Sequence, residues 1–257
     1  MSDNVFKIDE TERQFAMEIS GRTAMFTTPT SKFSIEKYSY EIPTLQALTG
    51  ICERIYWKPT MSIVVDKVRI MNPIEYESHG VKIIKKMNTL EEYDLCHYNY
   101  LSNVRYRVLF HIMWDENRED LKQDRNAIKH WNIMQRSLNR GGRLPVFLGC
   151  SECPCTVESI NPRDFDDGTG AYDNTELMVF RNMFHSYLYE PNSQCPIETR
   201  FFTAKMKKGI IDFNELEESD LTKYKIDREL DEKKEYYIRS HGFKSVDDEC
   251  IDMGVEV

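Results

Sequence analysis

From Val104 to Trp114, apolar side chains occupy every second position: Val104, Tyr106, Val108, Phe110, Ile112 and Trp114. A period of two puts all six on one face of an extended strand. Arg105, Arg107 and His111 fall on the other face, partly with Leu109 and Met113. This strand needs a covered apolar side, and its surroundings supply one. Upstream, Thr44 follows Pro43 and suits a helix N-cap. Leu45, Leu48, Cys52 and Ile55 then recur at i, i+3, i+7 and i+10, a single helical stripe that Pro59 ends. Met61–Met71 reads as a buried strand. Phe15–Phe26 carries two short strand-like runs split by Ser20-Gly21.

Residues 72–103 show no clear periodicity and read as a long insertion. Beyond Trp114 a second helix is expected, ending near Leu138 before Gly141-Gly142. Pro145–Gly149 is a short strand candidate. The order is β-α-β-(insertion)-β-α-β, the α+β split-βαβ plan called ferredoxin-like or RRM-like. In that plan two helices cover one face of an antiparallel sheet, and the open face is what RNA-recognition modules use. Three regions are expected: a ferredoxin-like domain over 1–149, a small β-rich domain over 150–213, and a charged acidic tail over 214–257.

Composition excludes several classes. The chain has 257 residues and is 40% hydrophobic, enough for a proper core. It has no run of 18 apolar residues, so no transmembrane helix is expected. Residues 1–12 are polar and do not resemble a secretory signal. The seven cysteines lack a framework spacing and are expected as reduced thiols in a cytoplasmic protein. No GxxxxGK[ST], GxGxxG or GxSxG is present, so ATPase, Rossmann oxidoreductase and serine hydrolase are unsupported.

Charge is distributed unevenly. The chain carries −9. Leu121–Arg143 nevertheless holds Lys122, Arg125, Lys129, Arg136, Arg140 and Arg143 against Asp124 alone, a local balance of +5. Residues 207–257 hold nine lysines and arginines against fifteen acids, a balance of −6. The basic segment is what a polyanion-binding face requires, and a solvated helix face has the same composition. It contains His130, the side-chain type that titrates nearest neutral pH. If the helix starts near Asn117, the cations form one stripe along it. If Asp124 or Asn126 caps it, Lys129-His130 lies in the first turns, where free N–H groups favour a phosphate. Both boundaries predict an exposed His130.

Two competing sites are weaker. Cys150, Cys153 and Cys155 lack the second matching pair of a zinc site and are expected as thiols, with only His185 and Cys195 in reach. Asp164, Asp166, Asp167 and Asp173 fit no calcium loop and read as a polar turn. No metal and no cofactor is expected.

Several blocks, in order, resemble the CRISPR-associated Cas-five family in its subtype I-C (Dvulg) branch. They include Ile42-Pro43-Thr44-Leu45-Gln46-Ala47-Leu48, Ile55-Tyr56-Trp57-Lys58-Pro59-Thr60 and Glu77-Ser78-His79-Gly80-Val81. They continue with Asp124-Arg125-Asn126, Lys129-His130, Gly141-Gly142-Arg143 and Phe147-Leu148-Gly149. The resemblance spans roughly residues 14–215. It departs at Thr28, Ser34-Ile35, Leu144-Pro145, Cys150 and Cys155.

The resemblance implies a RAMP-superfamily fold with a ferredoxin-like domain and a smaller β-sheet domain. It implies metal-independent cutting of precursor CRISPR RNA at the 3′ base of the repeat hairpin. The protein would then keep the 5′ handle beside the backbone and large subunits of the type I-C surveillance complex. The other branches imply the alternative, a non-catalytic subunit that caps the handle. The family's catalytic Tyr, Lys and His fall on Tyr56, Lys129 and His130. Lys58, Lys122, Arg125, Arg136, Arg140 and Arg143 are the expected RNA contacts, and the chain alone is expected to be a monomer.

These residue types suit 2′-OH attack on the adjacent phosphorus, which yields a 2′,3′-cyclic phosphate and a 5′-OH. A group near neutral pKa accepts the proton, and a cation stabilises the charge growing on the phosphate oxygens. Tyr56 and His130 are both candidates for the base.

Overall fold

A computed structural model describes residues 14–32, 34–84, 93–115, 118–188 and 197–226. The strands are β1 (Gln14–Ala24), β2 (Lys37–Tyr38), β3 (Met61–Ile70), β4 (Tyr76–Ile84), β5 (Tyr93–Trp114), β6 (Thr156–Ile160), β7 (Met178–Leu188), β8 (Ile197–Lys207), β9 (Ile210–Asp212) and β10 (Thr222–Ile226). The helices are α1 (Pro29–Lys32), α2 (Leu45–Ile55) and α3 (Ala127–Asn139). The strands form one mostly antiparallel sheet in the order β10-β8-β9-β3-β5-β1-β6. β2 and β4 also pair with β5, and β7 with β8; β2 is the parallel member. Among the described residues no helix is long and apolar enough to cross a membrane.

The alternating strand is the spine of the sheet. β5 pairs with β1 through Val108 opposite Met17 and Phe110 opposite Phe15, and with β3 through Val108 opposite Val68. Phe15, Met17 and Ile19 of β1 share one buried cluster with Leu48, Cys52 and Ile55 of α2 and Met134 and Leu138 of α3. Both helices therefore cover the same side of the sheet. Thr44 caps α2, its hydroxyl accepting from Ala47 N–H at 3.2 Å.

Several expectations change. The region 72–103 is not an aperiodic insertion. β4 pairs with the first half of β5 from Tyr76 opposite Leu101 to Ile84 opposite Tyr93, so β5 runs for 22 residues. Much of this hairpin is solvated on both faces, which removes the alternation that would have signalled it. Residues 145–149 form no strand, only a bridge between Phe147 and Pro154. The strand beside β1 is β6, beyond the boundary drawn at 149. Ser20-Gly21 does not interrupt β1; a Cβ at Gly21 would meet Leu148 Cδ1 at 2.6 Å, so glycine admits the 147–154 loop. The expected tail is ordered to Ile226, with two 3₁₀ turns and β10 paired with β8. Its remainder, 227–257, lies outside the described residues.

The opposite sheet face is not open. Arg105 and Arg107 both bind Glu18, at 2.6 and 3.0 Å. Arg107 also donates to the carbonyls of Asp164, Phe165 and Asp167. Arg69 donates to the carbonyls of Asp167 and Gly168 and to the Asp173 carboxylate. Phe165 is buried against Ala16 and Leu109. The 161–173 loop therefore lies across the face that the strand pattern leaves polar.

Candidate active site

The second helix begins at Ala127, the later of the two boundaries considered. Asn126 is its N-cap, with Oδ1 accepting from Lys129 N–H at 3.1 Å. This cap fixes Lys129 and His130 in the first turn. Adjacent residues point about 100° apart, so one can face solvent while the next faces the core. Lys129 is exposed. His130 is buried, with 2% of its surface accessible, which corrects the expectation of an exposed histidine.

His130 is held on three sides. Its ring stacks on Tyr56, with centroids 5.9 Å apart and planes at 30°. Trp114, the last residue of β5, meets it edge-on at 5.5 Å. Its Nε2 lies 2.7 Å from the Asp124 carbonyl oxygen, and the Asp124 carboxylate is 3.7 Å from the same nitrogen. A carbonyl oxygen only accepts, so Nε2 carries the hydrogen. In the neutral ring Nδ1 is then an acceptor, and it receives the Tyr56 hydroxyl at 2.8 Å.

Tyr56 reaches this position because it ends α2. It leaves the helix in extended conformation, and its N–H still bonds Cys52 O. Burial, then the Asp124 charge, pushes its hydroxyl up to about 12, while Arg143 acts in the opposite direction. The Arg143 guanidinium stands 5.5 Å above the Tyr56 ring. Gly141 and Gly142, both at positive φ, turn the chain after α3 so that Arg143 N–H bonds Ile55 O at 3.2 Å. The ends of α2 and α3 are thereby joined around the Tyr56–His130 pair.

Asp124 is fixed in turn. Its carboxylate accepts from Thr60 Oγ1 at 3.3 Å. It closes a 3₁₀ turn over Glu119–Asp124. Arg125 ties that turn down by donating to the carbonyls of Asp115 and Arg118, at 2.7 and 3.1 Å.

The expected cations divide into two groups. On α3, Lys129, Arg136 and Arg140 lie seven and four residues apart, within an arc of about 40° at 100° per residue. All three are exposed. Arg136 and Arg140 line a cavity of about 350 Å³ with Ile133, Ser137, Gly142 and Arg143. Lys122 is exposed on the 3₁₀ turn and so falls off the helical stripe. Arg125 is half-buried and committed to backbone carbonyls, and Lys58 is half-buried just after α2. The sequence reading missed Asp124 and Trp114 as partners of His130, and Thr60 as the donor that holds the Asp124 carboxylate. The only signal was Asp124, a lone acid six residues before His130 across a helix cap.

A family model described as CRISPR-associated protein Cas5 matches residues 15–214. The chain is 25% identical over 224 residues to the CRISPR pre-crRNA endoribonuclease Cas5d of Mannheimia succiniciproducens. That match covers 76% of this chain and 92% of the relative. A crystal structure titled as a CRISPR-associated protein superposes with TM-score 0.65 at 35% identity, over 78% of this chain and 91% of that one. A functionally uncharacterized protein of Streptococcus mutans superposes with the same TM-score at 39% identity, over 78% and 92%.

Proposed function

The chain belongs to the CRISPR-associated Cas5 family, in its Cas5d (subtype I-C) branch, and on that premise we propose that it is the endoribonuclease that cuts precursor CRISPR RNA within each repeat. The observation that carries this reading is the 2.8 Å bond between Tyr56 Oη and His130 Nδ1, beside an exposed row of cations. The relative's name supports RNA cleavage. Cutting at the 3′ base of the hairpin, metal independence and the cyclic-phosphate product are proposals that rest on the family resemblance and this geometry.

The arrangement favours a division of labour. The His130 lone pair is occupied by the Tyr56 hydroxyl, and its other nitrogen donates to Asp124 O. The ring therefore takes a proton through Tyr56 rather than directly. As the RNA 2′-OH attacks phosphorus, Tyr56 Oη accepts its proton and passes its own to His130 Nδ1, while the P–O5′ bond breaks and the leaving 5′-oxygen takes a proton from solvent. Tyr56 raised to about 12 is a conduit at neutral pH, not the resting base. The Asp124 carbonyl and carboxylate then stabilise the imidazolium. Lys129 offers an ammonium to the phosphate oxygens as charge builds there. Arg136, Arg140 and Arg143 hold the flanking backbone as point contacts.

The β1-α2-β3-β5-α3-β6 order, with β3-β5-β1-β6 side by side, supports a ferredoxin-like reading of this half. After the cut, the protein is proposed to keep the 5′ handle as a monomeric subunit joining the surveillance complex. A second reading, a non-catalytic subunit that caps the handle, is favoured by one observation. Tyr56 and His130 are both only 2% accessible in the unbound chain.

One experiment separates the two. Purified protein is incubated in EDTA with a single repeat RNA, and with the same RNA carrying 2′-deoxyribose just 5′ of the cut. A single cut in the first and intact, bound RNA in the second is the expected result. Binding of both without cleavage would establish the capping reading; cleavage of the deoxy RNA would end the 2′-OH mechanism.

A further inference from the structure

Cys150 and Cys153 take no part in the site above, yet they are placed for chemistry of their own. They lie in the loop between α3 and β6. This loop is pressed onto β1: Met25 N–H bonds Leu148 O at 2.9 Å. Gly149, at φ +93, admits that approach, since a Cβ there would stand 2.0 Å from Met25 O. Leu148 N–H bonds Cys153 O and Cys155 N–H bonds Val146 O, so the turn is closed from both sides.

Within it, Cys153 N–H donates to Cys150 O at 3.0 Å. A four-residue turn of this kind brings its end Cα atoms within about 7 Å, close to the span a disulfide bridges. The two sulfurs are 3.5 Å apart. The Thr23 hydroxyl donates to Cys153 Sγ, also at 3.5 Å. The Cys150 hydrogen bond, opposed by burial and helped by Thr23, lowers the Cys153 thiol below its ordinary range. The same bond raises Cys150. Exposure divides the pair in the opposite sense: Cys153 is fully buried and Cys150 half-buried.

We propose that Cys150 and Cys153 form a thiol–disulfide exchange site that takes up low-molecular-weight disulfides. The accessible sulfur of Cys150, having given its proton to solvent, attacks one sulfur of the incoming disulfide. One thiolate of the incoming molecule leaves, and a mixed disulfide remains on Cys150. Cys153 then loses its proton to the departing thiolate and attacks Cys150 Sγ, expelling the second thiolate. The two protein thiols are oxidised by two electrons, and the external disulfide is reduced to two thiols. Because turn and sulfurs are already in place, the second step needs little backbone motion, and adducts on Cys150 are discharged as they form.

The test uses the folded full chain with oxidised glutathione, followed by intact-mass analysis and peptide mapping. The wild type should lose two hydrogens, gain a Cys150–Cys153 link and retain no glutathione there, reversibly with dithiothreitol. Cys153→Ser should retain one glutathione on Cys150. Cys153→Ala serves if the serine variant does not fold by circular dichroism. Cys150→Ser should react at least ~10-fold more slowly, because the remaining sulfur is buried. Wild-type protein that keeps the adduct on Cys150, or links the pair only after unfolding, would overturn the proposal.

Discussion

The two faces of the central sheet contain the same kinds of residue and use them in opposite ways. On the helical side, His130 touches Tyr56 and Asp124, and Lys129, Arg136 and Arg140 point to solvent. On the other side, the His111 Nδ1 lies 3.0 Å from both Asp66 oxygens, and Arg69, Arg105 and Arg107 stand nearby on β3 and β5. By composition each face is a histidine, an aspartate and a set of arginines. The difference is in what remains available. Arg69 and Arg107 spend their donors on the carbonyls of 164–168 and on Asp173 and Glu18, so they bind the protein to itself. Lys129, Arg136 and Arg140 are exposed, and the two arginines line a cavity. His111 meets a carboxylate at the half-buried end of a hydrogen bond, while His130 meets a hydroxyl that a proton can cross.

The largest expected effect lies in exchanging one group on each face. Tyr56→Phe keeps the ring that stacks on His130 and removes only the hydroxyl. Single-turnover cleavage of bound repeat RNA should fall ~100-fold or more, the usual scale of a proton-transfer contribution. Lys129→Ala should fall ~10-fold or more, with some loss of affinity. His111→Asn should leave the rate unchanged. An undiminished rate in Tyr56→Phe would remove the relay through Tyr56, and a large loss in His111→Asn would erase the distinction between the faces.

Next in size is a stability effect on the opposite side. Arg69 is 4% accessible. Arg69→Met should remove the donor held by the Gly168 carbonyl and by Asp173 Oδ1, costing about 2 kcal/mol or more. Urea unfolding measures the loss, and cleavage per folded molecule should stay at the wild-type level. A stable Arg69→Met protein with weakened RNA binding would make this face a binding surface instead.

The contrast also explains what the sequence carried. Alternation over 104–114 announced β5 because its inner face is wholly apolar, and Thr44 announced α2 through its cap. Lys129 and His130 stood out as residue types inside a basic segment, whereas Tyr56 entered the candidate site only through the family resemblance. The burial of His130 was not legible, because both helix boundaries left it exposed whereas the buried stripe of α3 runs through His130, Met134, Ser137 and Leu138, and its Nε2 partner is a backbone carbonyl that every residue possesses. Arg105 and Arg107 read as an exposed polar face because Glu18 lies 87 and 89 positions before them and the loop carbonyls that Arg107 holds lie 57 to 60 positions after it. The hairpin of β4 with β5 was hidden by polar residues on both its faces.

A smaller effect should come from the exposed stripe. Arg136→Ala and Arg140→Ala each remove one proposed phosphate contact. Each should weaken RNA binding several-fold at moderate salt and lower the slope of log affinity against log salt by roughly 1. Single-turnover cleavage of saturated complexes should hardly change. A strong rate loss with unchanged affinity would place these arginines at the scissile phosphate rather than along the flanking backbone.

The smallest expected effect concerns the acidic end of the chain. Residues 227–257 hold ten acids against five lysines and arginines, a balance of −5. Like charge repels a phosphate backbone over a Debye length of about 10 Å at ordinary salt. Removing 227–257 spares β10, which pairs with β8 from Thr222 opposite Phe201 to Ile226 opposite Ile197. Affinity for the repeat RNA, measured by filter binding at two salt concentrations, should therefore stay unchanged or rise slightly, the rise vanishing at the higher salt. A marked loss of affinity in a truncated protein with native circular dichroism would make the acidic segment part of the RNA surface. The proposed contacts of Lys129, Arg136, Arg140 and Arg143 would then not account for the binding alone.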